Sequence, residues 1–377
     1  MPTPTLVTGD KMQETVLQFG GGQFLRAFVD LFIDQANAAG DDVGKIVVVQ
    51  STESPRADLF NTQQGHYHVL VRGLVSGCEV DEVLEAGSVS RALVASKQWA
   101  EVLEVARSSA LLYIVSNVTE AGYELEDGDT IGEPRSFPAK VVAALHARFV
   151  EGGTGLCLLP CELLDNNGDR LHKLVLEQVA RWNLGSDFAE WLGHECIWVN
   201  SLVDRIVSRP PQGHPLAERD GLLAVAEPFA LWAIEKQPGL NLFVHPAIEM
   251  VEAVEPYSLR KVRILNGAHT GLVCKALPQG FVTVREALAD ADIRAWLETL
   301  LFEEIVPIVA EQVEGAGYFA QQVLERLANP FLDHRLEDIA LYHDIKIGTR
   351  LLPTYEDYVA RRKEKPALLA EIMAPYL

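Results

Sequence analysis

The sequence has no apolar run that approaches the ~18 residues of a membrane-spanning helix. Its opening stretch, MPTPTLVTGDKMQETVLQFG, lacks a basic segment followed by an apolar one. No export signal and no membrane partner are therefore expected, and the expected setting is the cytoplasm. Cysteine is scarce: Cys78, Cys157, Cys161, Cys196 and Cys274 are scattered and odd in number, which fits a reducing compartment better than a disulfide framework. Cys157 and Cys161 lie close together, yet no second pair of His or Cys accompanies them, and GLCLLPCELL reads as a strand entering its loop, so no metal site is expected. Positive charge is in deficit, with 32 Lys and Arg against 53 Asp and Glu, a formal net charge of -21. Nucleic acid and anionic membranes repel a chain of that sign, so no nucleic-acid partner is expected. A local basic pocket for a small anion is still compatible with it.

What the chain has is core material. Its 377 residues are 48% hydrophobic and 23% charged, enough for two domains. The first half alternates apolar β-branched runs, at 14 to 20, 45 to 52, 110 to 117, 154 to 162 and 196 to 204, with helical patterns at 24 to 37, 95 to 107, 138 to 150 and 169 to 182. Continuous apolar strands between helices indicate a parallel sheet covered on both faces. After VSRPPQGHP (207 to 215), helical patterns follow at 258 to 277, 283 to 290, 293 to 312, 318 to 328 and 334 to 351. The expected fold class is α/β, with an N-terminal Rossmann-like parallel-sheet domain over 1–205 and a mainly α-helical substrate and catalytic domain over 206–377.

Gly20, Gly21 and Gly22, with Gln23 and Phe24 behind them, join the first strand to the first helix. Glycines there let the backbone turn tightly and approach a pyrophosphate at a helix N-terminus. The third glycine of the dinucleotide pattern is replaced by Leu25, so position in the first strand-helix unit carries the reading. Beyond the second strand, Gln50 and Ser51 are followed by Glu53, which suits a ribose hydroxyl and hence NAD, and by Arg56, which suits a 2'-phosphate. The balance leans to NAD. Asn117 and Thr119, in SNVTEAGY, lie at the carboxyl edge of a later strand, where they either face a cofactor or cap the next element.

The segment RKVRILNGAHTGLV (260 to 273) combines helix-compatible apolar positions with Lys261, Asn266, Gly267 and His269. At helical spacing Asn266 lies about 140° and His269 about 80° from Lys261, so the three share one broad face. A desolvated lysine can serve as acid or base, an amide can hydrogen-bond a developing alkoxide, and an imidazole can orient a hydroxyl. Singly, each reads as an exposed lysine, a helix-end asparagine and a core histidine.

Lys-x-x-x-x-Asn-x-x-His, here Lys261, Asn266 and His269, resembles the catalytic motif of the polyol-specific long-chain dehydrogenases, the mannitol dehydrogenase family. FGGGQFLRAF, SNVTEAGY, LLPCELLDNNG and SLVDRI agree with that family in order, and the resemblance spans most of the chain. Its wording is most similar to the branch that reduces keto-uronates. The resemblance implies metal-independent hydride transfer between NAD and a sugar-derived small molecule. Lys261 would be the acid/base, Asn266 would polarise the reacting oxygen and His269 would hold the substrate. It also implies Asn167 as a second amide at that oxygen and Asp204 as a contact beside the nicotinamide. Polyol members carry an arginine eight positions before a lysine near the C-terminus; here Lys346 stands but Asp338 replaces the arginine. His343, Lys346 and Arg350 are then candidates to bind a uronate carboxylate, against the plainer reading of a helix end decorated with cations. A free or phosphorylated polyol is the alternative substrate, and a nucleotide-sensing protein that has lost catalysis is the non-enzymatic alternative.

Overall fold

The computed structural model describes residues 12–52 and 54–376. Glu53, expected near a ribose, lies outside the described residues. In chain order the strands are β1 (Glu14–Phe19), β2 (Lys45–Gln50), β3 (Tyr67–Val75), β4 (Cys78–Ala86), β5 (Val89–Val94), β6 (Tyr113–Ser116), β7 (Cys157–Pro160), β8 (Ile197–Trp198), β9 (Ser201–Asp204), β10 (Val207–Ser208), β11 (Ala224–Ala226), β12 (Leu231–Glu235) and β13 (Ile248–Val251). Among the described residues, β5, β2, β1, β6, β7 and β8 pair in that order as a parallel sheet. Alternate strand residues enter opposite cores, as the two-residue period requires. Val16, Ile46 and Val48 pack with the helix Val29–Ala39. Leu17, Val47 and Val49 pack with Trp99–Arg107, Phe137–Val150 and Asn167–Arg181. The expected doubly covered parallel sheet is therefore present.

Three expected elements divide. The helix expected over 24 to 37 is a single turn, Gln23–Arg26, followed by Val29–Ala39, with Phe28 at φ -134° and ψ -97° between them. Side chains satisfy the carbonyls near the break. Arg26 donates to Gly21 O at 2.6 Å, Tyr67 to Arg26 O at 3.0 Å and Arg205 to Ala27 O at 2.7 Å. The run at 196 to 204 becomes β8 and β9, which belong to different sheets. A Cβ added at Gly168 would meet Val199 O at 2.4 Å, so the start of the helix Asn167–Arg181 lies directly against that division. The helix expected over 334 to 351 is Leu336–Ala340 and His343–Arg350, separated where Tyr342 adopts φ +56°.

Strand pairing continues past residue 205. β10, β11, β3 and β4 form a second sheet, and β13, β12 and β9 a third. β3 and β4 are a hairpin whose turn residues Ser76 and Gly77 both have positive φ, 52° and 75°. That is the mirror-image turn suited to the twist of paired strands. Beyond residue 251 the chain is helical around its own core, which includes Ile264, Leu265, Leu272, Leu300, Ile305 and Phe319. No helix among the described residues is long and apolar enough to cross a membrane.

Candidate active site

The helix that carries Lys261 is not uniform. It runs as α-helix from Glu255 to Arg260, as π-helix from Lys261 to Asn266, and as α-helix again from Gly267 to Ala276. In a π-turn the backbone bonds five residues back, and such turns are frequent at functional sites. The wider turn brings Asn266 nearer to lying above Lys261 than the α-helical angle of about 140° allows. Lys261 and Asn266 are thus the first and last residues of one π-turn. The Asn266 amide has no hydrogen bond among the described residues, whereas Lys261 Nζ donates to Val203 O at 2.7 Å, in β9.

Burial lowers the Lys261 pKa, Asp204 and Glu227 oppose that, and Arg326 and Arg350 add to it; the net direction is down. Asp204 and Glu227 are themselves bound by Arg326. Its Nη1 and Nη2 donate to the two oxygens of Asp204 at 3.0 and 2.8 Å. Its Nε and Nη2 donate to Glu227 Oε1 at 3.1 and 2.8 Å. The guanidinium lies 4.1 Å over the Phe229 ring. All three charged side chains are buried. Burial alone would raise the Asp204 pKa, but Arg326 and Lys261 outweigh it and hold the carboxyl below its ordinary value. Glu227 is pushed up by the same burial.

His269 is 7% exposed, and its Nδ1 lies 3.1 Å from Leu265 O. A carbonyl only accepts, so Nδ1 carries the hydrogen and Nε2 of the neutral ring is an acceptor. Nε2 is buried without a partner among the described residues. Burial, with His334 and two arginines nearby, lowers its pKa to about 3, so the ring is neutral at pH 7. Such an acceptor suits a hydroxyl hydrogen and not a carboxylate. His334 packs edge-on against it with ring centroids 5.1 Å apart, and its Nδ1 is also buried and unpartnered among the described residues.

The three C-terminal candidates separate. Arg350 Nη1 reaches Thr270 Oγ1 at 3.3 Å, and that hydroxyl donates to Asn266 O at 2.9 Å, so Arg350 borders the π-turn. Lys346 Nζ donates to Ile339 O at 2.7 Å and lies close enough to His334 to depress its pKa. His343 is elsewhere: its Nε2 is 3.3 Å from Cys274 Sγ. Cys274 sits roughly 20 Å along the helix from Lys261. His343 is therefore a correction at its ring, which faces Cys274 rather than the π-turn although Lys346 and Arg350 lie near enough to lower its pKa; the pair lines a groove of about 270 Å³ with Trp296 and Tyr376.

Asn167 is a second correction. It is fully buried; its Nδ2 donates among Pro160 O, Glu162 O and Ser201 O at 3.0 to 3.2 Å, and its Oδ1 accepts from Gly168 N and Ser201 N. No amide hydrogen is left for a substrate, and its work is to brace β7 against β9. Asp204, expected beside a nicotinamide, has both oxygens engaged by Arg326.

At the glycine turn, Gly20 has φ +115°, and a Cβ there would meet Asn117 O at 3.0 Å. A Cβ on Gly21 would meet Phe60 and Val48 at 3.0 and 3.1 Å, whereas one on Gly22 would meet nothing within 4 Å. Gly22 begins the turn Gln23–Arg26, and no side chain caps that N-terminus. Asn117 donates to Cys161 O at 2.7 Å, so it ties two strand ends together, while Thr119 is exposed. Gln50 is buried and holds the following loop, donating to Thr52 O and Ser54 O and accepting from Ala57 N. Among the described residues no group of three or more His, Cys, Asp or Glu could hold a metal ion. Arg326, Glu227 and His334 escaped sequence reasoning: Arg326 lies 99 residues from Glu227, His334 is likewise distant in sequence from His269, and no local spacing marks such pairs.

Residues 14–243 match the mannitol dehydrogenase Rossmann domain, and residues 253–377 match the mannitol dehydrogenase C-terminal domain. The chain belongs to the mannitol dehydrogenase family. It is an oxidoreductase acting on CH–OH groups. A curated relative, altronate oxidoreductase of Bacillus subtilis, is 36% identical over 94% of this chain and 77% of its own length. Among solved structures, D-sorbitol dehydrogenase in substrate-free form shares the fold at TM-score 0.83 and 23% identity, covering 97% of this chain and 80% of that one. Mannitol 2-dehydrogenase of Pseudomonas fluorescens, in a ternary complex with NAD and D-mannitol, shares it at TM-score 0.79 and 22% identity, covering 97% of this chain and 78% of that one.

Proposed function

We propose that the chain is an NAD-dependent oxidoreductase that interconverts a keto-uronate of the tagaturonate type and the corresponding aldonate, with Lys261 as acid/base and no metal. The observation that carries this reading is the π-turn itself. It presents a half-buried lysine held by one peptide carbonyl, an asparagine amide with no other partner among the described residues, and a bordering arginine. The curated relative named altronate oxidoreductase supports the substrate class.

The glycine turn fits a dinucleotide. Open space at Gly22, before an uncapped helical turn at the edge of a parallel sheet, leaves room for a pyrophosphate against the backbone. Gly20, Gly21 and Gly22, with the N–H groups of Gln23 and Phe24, would hold it. NADH, when bound, supplies the hydride that the substrate's carbonyl carbon accepts. The chain's own residues handle the oxygen. The Asn266 amide hydrogen-bonds the oxygen as charge develops, and the Lys261 ammonium gives it a proton, leaving the neutral amine. Oxidation reverses both steps. His269 Nε2 accepts from a neighbouring hydroxyl, and Arg350 with Lys346 holds the carboxylate.

The test is NADH oxidation, followed by absorbance, against keto-uronates, free ketoses and ketose phosphates. Tagaturonate should be turned over with the highest kcat/KM; faster turnover of a ketose or its phosphate would replace the uronate assignment with a polyol one. Lys261→Met should lose about 100-fold to 10,000-fold in rate while still binding NADH. An unchanged turnover number would remove Lys261 from the reaction.

A further inference from the structure

Lys261 is held at Val203, and the next residue in β9 is an acid. An ammonium withdrawn from much of the solvent and set beside a carboxylate ordinarily closes an ion pair with it, because removing charge from water is costly. Lys261 does not: its nitrogen is on the Val203 carbonyl, while both Asp204 oxygens are occupied by Arg326. Glu227 fixes the other edge of the guanidinium, with Nε reaching its two oxygens at 3.1 and 3.0 Å. Ile206 N donates to Glu227 Oε1 at 2.6 Å, so the second carboxylate is itself anchored to the backbone. Only an arginine supplies a planar fork that fills two carboxylates at once and stays charged while it does so.

We propose that Arg326 is a positioning residue for the reaction: by engaging both oxygens of Asp204 and offsetting its charge it draws that carboxylate away from pairing with Lys261, so the lysine nitrogen stays available to the substrate oxygen. The proposal rests on Lys261 being the acid/base. The groups that face Lys261 come from four places. Asp204 lies at the end of β9, Glu227 follows β11, Arg326 is in the helix Ala316–Leu327 and Arg350 in His343–Arg350. Arg260, next to it on its own helix, faces Asp204. The two carboxylates favour the protonated lysine, and Arg326 and Arg350 oppose it.

These opposite signs supply the test. In reduction of tagaturonate by NADH the lysine must be protonated, so kcat falls as pH rises through its pKa. Arg326→Met frees Asp204 to pair with Lys261 and removes an opposing positive charge, so this fall should move to higher pH, with lower kcat in the working range. Arg326→Lys keeps the charge and should lie nearer the wild-type profile. Asp204→Asn and Glu227→Gln each remove a negative charge and should move the fall to lower pH. A bracket that only supported the fold would lower kcat in all four variants without moving the profile, and that result, or a shift of one sign in all, would overturn the proposal. If Arg326→Met does not fold, the near-isosteric Glu227→Gln variant decides alone, since an unmoved profile there refutes the coupling. The Lys261 Nζ titration can also be followed by NMR in 15N-lysine-labelled protein, assigned with Lys261→Met and read without turnover. A Lys261→Met variant that still turns over would sink the functional reading instead, whereas an inactive one beside unmoved profiles would sink only this inference.

Discussion

Replacing Arg350 by methionine should separate a charged substrate from a neutral one. Arg350 Nη1 is 3.3 Å from Thr270 Oγ1, whose own bond at 2.9 Å ends on Asn266 O, so the guanidinium lies one helical turn from the proposed reaction centre. Methionine keeps most of the side chain's bulk and removes its donors. A hydrogen bond between a cation and a carboxylate contributes roughly 1.5 to 3 kcal/mol. Arg350 is partly exposed, which favours the lower end of that range. Since about 1.4 kcal/mol is tenfold in affinity, the Michaelis constant for tagaturonate should rise about ten-fold. The same constant for tagatose, which carries a hydroxymethyl in place of the carboxylate, should change far less. Lys346 has already given one hydrogen to Ile339 O and keeps two, so Lys346→Met should show the same preference. The two effects should combine less than additively if both side chains share one carboxylate. Steady-state kinetics on both substrates with each variant is the assay. Equal losses on the two substrates would mean that these cations hold a shared hydroxyl, and the carboxylate site would have to be sought elsewhere.

Gly22→Val should weaken NADH binding by filling the open space at the first helical turn; calorimetry that finds equal affinity would place the cofactor elsewhere. Gly168→Ala should destabilise the fold by about 1 to 3 kcal/mol, because its new Cβ meets the backbone at Val199 and Asn200; denaturant titration with an unchanged midpoint would contradict the geometry. His269 is neutral when folded, with a pKa lowered to about 3 against an ordinary 6.5, so the unfolded chain binds its proton first as pH falls. Stability should drop below pH 6.5 by up to about 1.4 kcal/mol per pH unit from this group until its folded pKa is reached, and His269→Asn should flatten that slope in chemical unfolding followed across pH. Activity should survive a strong chelator, since the described residues offer no group of three metal ligands; a loss restored by added zinc would refute this.

The parallel sheet was legible because its strands are buried on both faces and so carry unbroken apolar runs, as Lys45–Gln50 shows. The Ser76-Gly77 hairpin was missed although its signal was local, a turn dipeptide between β-branched runs. The split at Phe28 was not legible, because Leu25, Phe28, Phe32 and Ala36 keep helical spacing through it and the carbonyls it frees are satisfied by Tyr67 and Arg205 from distant segments. At the site, Lys261, Asn266 and His269 were readable as a spacing. Asn167 looked equally chemical in sequence, yet its amide is spent on backbone, and only coordinates distinguish a spent amide from a free one.

The π-turn amounts to one residue more than an α-helix needs between Arg260 and Gly267. A single-codon deletion inside 261 to 266 would restore the regular helix and keep every side chain named in the proposed mechanism. Four α-helical steps end about 40° beyond one full turn, close to where the wider π-turn sets Asn266 over Lys261, so the deletion would leave the two flanking helices nearly in phase. The lysine would still face Val203 and the asparagine would keep its place beside Thr270. Straightening the same stretch to α-helix with all six residues kept would instead turn Lys261 about 100° against His269 and the C-terminal half, and the motif, intact by composition, would lose its geometry. In this helix the winding of the backbone, as much as the identity of its residues, sets where the lysine points.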